Sequence, residues 1–252
     1  PLNDSQQLTC TVEGDMSFTG GSTNLNNAAF KTGVTTTINL QGDLTVSGGS
    51  TTGLKNSDED SYATNSFNFT GTTTQLVNSA MPFDKINAIV KNNAIVELST
   101  NNLEIDNNSI FTVNDGGTLN FGFNGTTPLV LKDPAAPDVT DGQNIFENES
   151  GSTLKITHTE GLYKATADKG NVQLPVNDKT FSDEATYHYI GKANQETGDA
   201  ICVNNTTDGH NVDNINKSLV IELSNGATEV TLQSGDIETG TVNFINGNFV
   251  LG

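Results

Sequence analysis

The chain has 252 residues and a formal net charge of −19, the balance of 30 acidic residues against 11 basic ones, all of them lysine. That balance excludes nucleic-acid binding, which needs a basic face and usually arginine at the base edges, and an anionic membrane surface would repel it. With 33% hydrophobic residues, 6% aromatics and no Trp, the chain can build only a thin core, so the spacing of its apolar residues decides what it forms.

Taken in order, residues 1–33 hold two strand-like pieces, 8–12 and 16–19, followed by a polar stretch, and are expected to form an N-terminal cap. Ile38 and Leu40 then precede Leu44 and Val46 within 37–49 as two short alternating strands. Residues 48–66 have almost no apolar content and predict a loop thrown out of the scaffold. Its run Asp58, Glu59, Asp60 is a candidate Ca²⁺ site, but sequential carboxylates lack the spaced ligands and central glycine of a calcium loop, which favours a solvated charge run. A strand resumes at 67–71, and 76–90 leads into the most regular stretch.

That stretch is 95–131. Ile95, Leu103, Phe111 and Leu119 recur every eight residues, as do Ile105, Val113, Phe121 and Leu129. Within each unit the apolar residues alternate, the two-residue period of a strand with one buried face, and between units lie Asn, Asp, Ser and Gly, which favour turns. The spacing predicts that Ile95 lies above or below Leu119 one coil away, that Phe111 and Phe121 face inward, and that Glu97 and Glu104 face solvent. After Leu131 regularity fails: 132–150 is proline-bearing and predicts a loop, 153–157 a strand, and 158–217 a long insertion. That insertion holds all three histidines (His158, His188, His210) and three of the four tyrosines. Repeats return in 218–252 as Val220/Leu223, Val230/Leu232, Val242/Phe244 and Phe249/Leu251.

Two architectures fit such strands. One is an antiparallel β-sandwich; the other, favoured here, is a right-handed parallel β-helix, a β-solenoid with three strands and roughly 24 residues per coil. Near-equal units with two or three inward apolar residues suit a narrow stacked core, whereas a sandwich more often shows longer strands and large aromatics. The expectation is a single all-β solenoid domain over 1–252 with long inserted loops. Cys10 and Cys202 would then sit about eight coils apart, at ~4.8 Å per coil, beyond disulfide reach unless the region around Cys202 folds back. No apolar run approaches a membrane span, and no signal peptide precedes the opening PLNDSQQ; a start at Pro1 without Met leads to the expectation of a processed or truncated piece.

Little points to catalysis. Glycoside hydrolysis needs two facing carboxylates; Glu97, Glu104 and Asp106 lie on the central strands, but alternating Glu on an outer face ordinarily keeps a strand soluble. No histidine stands at metal-ligand spacing from another, and no nucleophile elbow, P-loop, zinc-protease or EF-hand motif is present. The Thr triplets at 35–37 and 72–74 do not recur once per coil as an ice-binding face requires. Asn-X-Ser/Thr triplets occur at eight positions from Asn3 to Asn216, as expected by chance in a chain this rich in Asn and Thr. The irregular insertions instead concentrate Tyr163, Tyr187, His188 and Tyr189, side chains suited to recognition.

The repeat LEIDNNSIFTVNDGGTLNFG, 103–122, resembles in style the β-helical passenger regions of bacterial autotransporters and related surface adhesins, including the chlamydial-type polymorphic membrane proteins, whose Gly-Gly-Ala-Ile motif it lacks. The resemblance covers 35–131 and 218–252. It implies export to the bacterial cell surface, a solenoid stalk, and non-enzymatic adhesion to a host-cell protein or glycan through the loops at 48–66, 132–150 and 158–217. A surface-layer or filament subunit, bound to copies of itself, is the alternative. A polysaccharide-degrading β-helix enzyme is the second alternative. No cofactor is expected beyond Ca²⁺.

Overall fold

Short runs of alternating apolar and polar residues become strands because only a strand sends successive side chains to opposite faces. In the computed structural model, which describes residues 7–19, 23–26, 35–47, 54–56, 65–134, 144–164, 169–175, 178–201, 218–224, 226–232 and 240–251, these runs wind into a parallel coil. The first coil holds β1 (Gln7–Val12), β2 (Met16–Thr19) and β3 (Thr23–Asn26), and the second β4 (Thr35–Leu40), β5 (Leu44–Ser47) and β6 (Leu54–Asn56). The third holds β7 (Ser66–Phe69), β8 (Thr74–Ser79) and β9 (Phe83–Asp84); the fourth β10 (Asn87–Val90), β11 (Ile95–Leu98) and β12 (Leu103–Asp106). The fifth adds a hairpin: β13 (Ile110–Val113), β14 (Thr118–Asn120), then β15 (Phe123–Asn124) and β16 (Thr127–Pro128), then β17 (Leu131–Lys132). After it come β18 (Ile145–Asn148), β19 (Thr153–Ile156) and β20 (Val172–Gln173), and then β21 (Lys179–Phe181), β22 (Thr186–Tyr189) and β23 (Gln195–Glu196). The last coils hold β24 (Ser218–Glu222) and β25 (Glu229–Thr231), then β26 (Thr241–Asn246) and β27 (Asn248–Val250).

Strands visit the faces in rotation, so each pairs with its counterpart one coil away rather than with its sequence neighbour. One sheet runs β1-β4-β7-β10-β13-β18-β21, the second β2-β5-β8-β11-β14-β19-β22-β24-β26, and the third β3-β6-β9-β12-β17-β20, with β23-β25-β27 as a further short sheet. Every pairing of named strands is parallel except the β15–β16 hairpin. The antiparallel sandwich is thereby excluded: 103–106 and 110–113 lie in different sheets.

Polar side chains repeat across coils and bond to one another on the outer faces. Asn101 donates to Asn78, Asn107 to Asp84 and Asn120 to Glu97, each pair 23 residues apart. Elsewhere the repeat is longer, 29 residues between Asn39 and Asn68 and 34 between Ser150 and Glu184. The extra residues fall between strands, as between β17 and β18 or β19 and β20. At two corners a buried glutamine ties one coil to the next. Gln75 accepts from the Gly71 amide and donates to the Leu40 and Gly42 carbonyls, and Gln195 does the same with Gly191, Ile156 and His158. Gly71 is required there, since a Cβ would stand 2.2 Å from the Gln41 carbonyl oxygen.

Five expectations are corrected. Ile95 is not inward: it pairs with Thr118, while Val96 pairs with Leu119 and is buried with Leu98. Two adjacent apolar residues leave the phase of a strand ambiguous, and a one-residue slip exchanges its faces. Residues 1–33 carry, where described, the strands of an ordinary first coil. The region 48–66 contains β6, paired on both sides, and 132–150 contains β18 in the first sheet. The 158–217 segment contributes β20 to β23, so from 169 to 196 it is largely scaffold rather than insertion. Phe111 and Phe121 are fully buried as expected, and Glu97 and Glu104 alternate to the outside.

Candidate functional site

The tyrosines singled out from the sequence are core residues. Tyr187 stands in register between Leu154 and Leu219, and Tyr189 between Ile156 and Ile221, so both extend the inward ladder of the second sheet. Both are completely buried, as is Tyr163. Their hydroxyls find internal partners, as a buried phenol must: Tyr187 donates to the Ser182 carbonyl at 2.6 Å and Tyr189 to that of Thr197 at 2.8 Å. Burial raises the Tyr187 pKa. Tyr163 lies against the buried Lys179, whose ammonium sits 3.5 Å from the ring centroid and donates to the Leu174 and Pro175 carbonyls. The expectation of a tyrosine recognition cluster is therefore overturned. Alternation on β22 turns the two tyrosines in and leaves only His188 facing out.

His188 keeps 13% of its side chain exposed, with Nε2 2.9 Å from a Glu222 carboxylate oxygen. It stands over Lys155 of the preceding coil. Burial is the largest cause of its pKa lying below the usual histidine value; Glu222 pulls it up and Lys155 pushes it down. His158 lies before the next corner, its pKa also lowered by burial, with Nδ1 accepting the Glu160 amide at 3.1 Å. Asp58, Glu59, Asp60, Cys202 and His210 lie outside the described residues. Among the described residues no group of three or more His, Cys, Asp or Glu could hold a metal ion, and no helix is long and apolar enough to cross a membrane.

The outer surface offers a different site, at the corner that follows the second sheet. There the β15–β16 hairpin leaves the coil through a turn at Gly125, whose φ of 63° suits glycine. Asn124 donates to the Thr100 carbonyl one coil below, and Lys192 reaches from two coils above to the Gly125 carbonyl at 2.9 Å. The same ammonium lies 4.2 Å from the centroid of half-buried Phe123, a cation–π contact. Concavities flank the hairpin on both sides. One, of about 460 Å³, is lined by Phe123, Thr126, Pro128, Thr157, Thr159 and Lys192. The other, of about 430 Å³, is lined by Phe123, Lys155, Ile190, Glu222, Ser224 and Asn246 among others. The first set comes from the corner in successive coils and the second largely from the adjoining strands β19, β24 and β26; sharing Phe123, the two make a groove around the hairpin. It brings two of the chain's few lysines beside an aromatic ring and several hydroxyls, with the His188–Glu222 pair at one margin.

Sequence reasoning missed this groove, because Phe123 read as one more residue of the central repeat and Lys192 lay 67 positions away. The local signal that could have found it is Gly125-Thr126 between the paired Asn124 and Thr127, a glycine-first two-residue hairpin turn inside an otherwise parallel repeat. No protein-family model matches the chain, and no curated protein or solved structure matches it closely enough to carry an argument. Fold and geometry alone define the class: an all-β parallel coil with a lateral groove built around a hairpin.

Proposed function

We propose that this chain is a non-enzymatic extracellular protein of the bacterial surface, an adhesin or passenger segment that holds a host-cell or matrix ligand against a rigid coil. One observation carries the reading: the half-buried Phe123, on the hairpin that departs from the coil, stands between two concavities with Lys192 over its ring. Away from the end coils every other described Phe and Tyr is buried, so an aromatic kept at the surface and flanked by Thr126, Thr157 and Thr159 is equipped to contact a sugar face or an extended peptide. Lys155 and Lys192 give an otherwise acidic molecule a place for an anionic group. The adhesive site is thus placed on the hairpin corner rather than in the 158–217 tyrosines.

The test is display of the chain on a cell surface, with binding measured against immobilised matrix proteins and host glycans. Phe123→Ala and Lys192→Ala should each weaken adhesion roughly tenfold, ~1.4 kcal/mol, with little change in melting temperature. Adhesion that persists unchanged in the double variant removes the site. Release of reducing sugar from a polysaccharide would replace the reading with an enzymatic one.

A further inference from the structure

The two lysines around the Phe123 hairpin are not equivalent. Lys192 is engaged twice, by the Gly125 carbonyl at 2.9 Å and by the Phe123 ring, and it lines only the first concavity. Lys155 lines only the second, from the outward face of β19. Among the described residues its ammonium meets no carboxylate at ion-pair distance and no hydrogen-bond acceptor. In a chain with 30 acidic residues against 11 lysines, carboxylates are in excess, and elsewhere they are taken: Lys132 is held by Glu104, and Lys164 by Glu160 and Glu196. The carboxylate that lines the same concavity as Lys155, that of Glu222, is occupied by His188 at 2.9 Å.

Around this ammonium the second concavity offers apolar surface from Phe123, Ile190 and Leu223, with the Ser224 hydroxyl and the Asn246 amide beside it. Asn246 spends its Nδ2 on the Leu223 carbonyl, which leaves Oδ1 to accept. A sugar has the complementary make-up, an aliphatic ring face and a rim of hydroxyls, and an acidic sugar adds one anion. The wall strands behind the groove, β14, β19, β22 and β24, are each paired on both sides. They offer no free edge to which an extended peptide could add by main-chain hydrogen bonds, so recognition falls to side chains.

We infer that the second concavity seats an acidic sugar, its anionic substituent on Lys155 and its ring against Phe123, while the rest of the glycan passes the hairpin into the first concavity. There the exposed Thr126 and Thr159 present hydroxyls. This rests on the reading of the groove as the adhesive site and narrows its ligand to a glycan. The acid is an isolated unit in a mostly neutral glycan, because a molecule of net charge −19 repels a ligand charged at every unit and one free ammonium answers one anion. A carboxylate and a sulfate ester both satisfy Lys155, since an ammonium is a compact point charge without the fork that matches a planar carboxylate.

Ligand-observed NMR titrations of the 252-residue chain with lactose, sialyllactose and lactose carrying one sulfate test this. At least one acidic form should bind more tightly than lactose, and the tighter of the two identifies the anion as carboxylate or sulfate. Lys155→Gln should bring the acidic forms down to lactose, a loss of roughly fivefold, and Lys155→Arg should restore the preference; the melting temperature should not move, because this side chain bonds nothing within the protein. Phe123→Ala should weaken all three sugars alike. Equal binding of neutral and acidic sugars, or an acid preference that survives Lys155→Gln, overturns the inference but leaves the groove as the adhesive site so long as Phe123→Ala still weakens binding. Sugar binding indifferent to Phe123→Ala removes the groove itself. Failure of both acidic sugars to bind overturns the inference as well, and Phe123-dependent capture of an extended peptide would then give the groove to a peptide.

Discussion

At the scale of single residues, neighbours on one strand have opposite fates. Tyr187 and Tyr189 are rungs of the core while His188 between them meets Glu222 and Lys155 outside. The two imidazoles make stability depend on pH in a definite direction. Burial lowers the pKa of His158 and His188 below the ordinary 6.5, so as pH falls the unfolded state takes up protons first. The stability they contribute is whole above pH 6.5 and is lost as pH falls through that value towards the lower folded pKa values. Melting temperature should therefore drop between about pH 7 and pH 5, and the drop should shrink in the double variant His158→Gln/His188→Gln. Glu160, its pKa lowered chiefly by the Lys164 hydrogen bond, adds a loss of the same sign only below its ordinary 4.5. An unaltered pH slope in the double variant would show that the fold does not hold these rings neutral.

For the elements, the decisive variable is which face of each strand turns inward. Alternation located Leu103/Ile105 and Phe111/Val113 correctly, and across Glu97 it points equally to Val96/Leu98, but the eight-residue spacing drew the adjacent Ile95 into the inward ladder instead. The register settles it, with Val96 over Leu119. Val96→Asp should then prevent stable folding, since an unpaired charge in the core costs several kcal/mol. Ile95→Thr should change stability by no more than about 0.5 kcal/mol, as an outward substitution does. Denaturant melts of the pair would decide between the two faces, and the opposite ranking would restore Ile95 to the core. The corners were less legible. Gln75 and Gln195 look like turn residues in FTGTTTQ and YIGKANQ, yet both are buried clamps on the coil beneath. Their partners, Leu40 and Ile156, lie 35 and 39 residues back. A local pattern cannot display a bond over that distance.

The whole molecule is a stack in which most contacts join one coil to the next, and its acidity is spread along the sides. Self-repulsion at −19 opposes the compact state, so added NaCl should raise the melting temperature before any specific ion effect enters. A melting temperature independent of salt would show that the carboxylates are already neutralised by local partners. What the sequence alone determined is the all-β character and the narrow core, because strand period and turn residues are local properties written every eight positions. Parallel stacking was favoured by unit length, but the pairing itself was decided by tertiary structure, through registers that join residues 19 to 41 positions apart. The same reason moved the candidate site. Whether an aromatic side chain is buried depends on the coil above and the coil below, so Tyr187 and Tyr189 were drawn into the core, and Phe123 was left at the surface where a hairpin carries it past the wall.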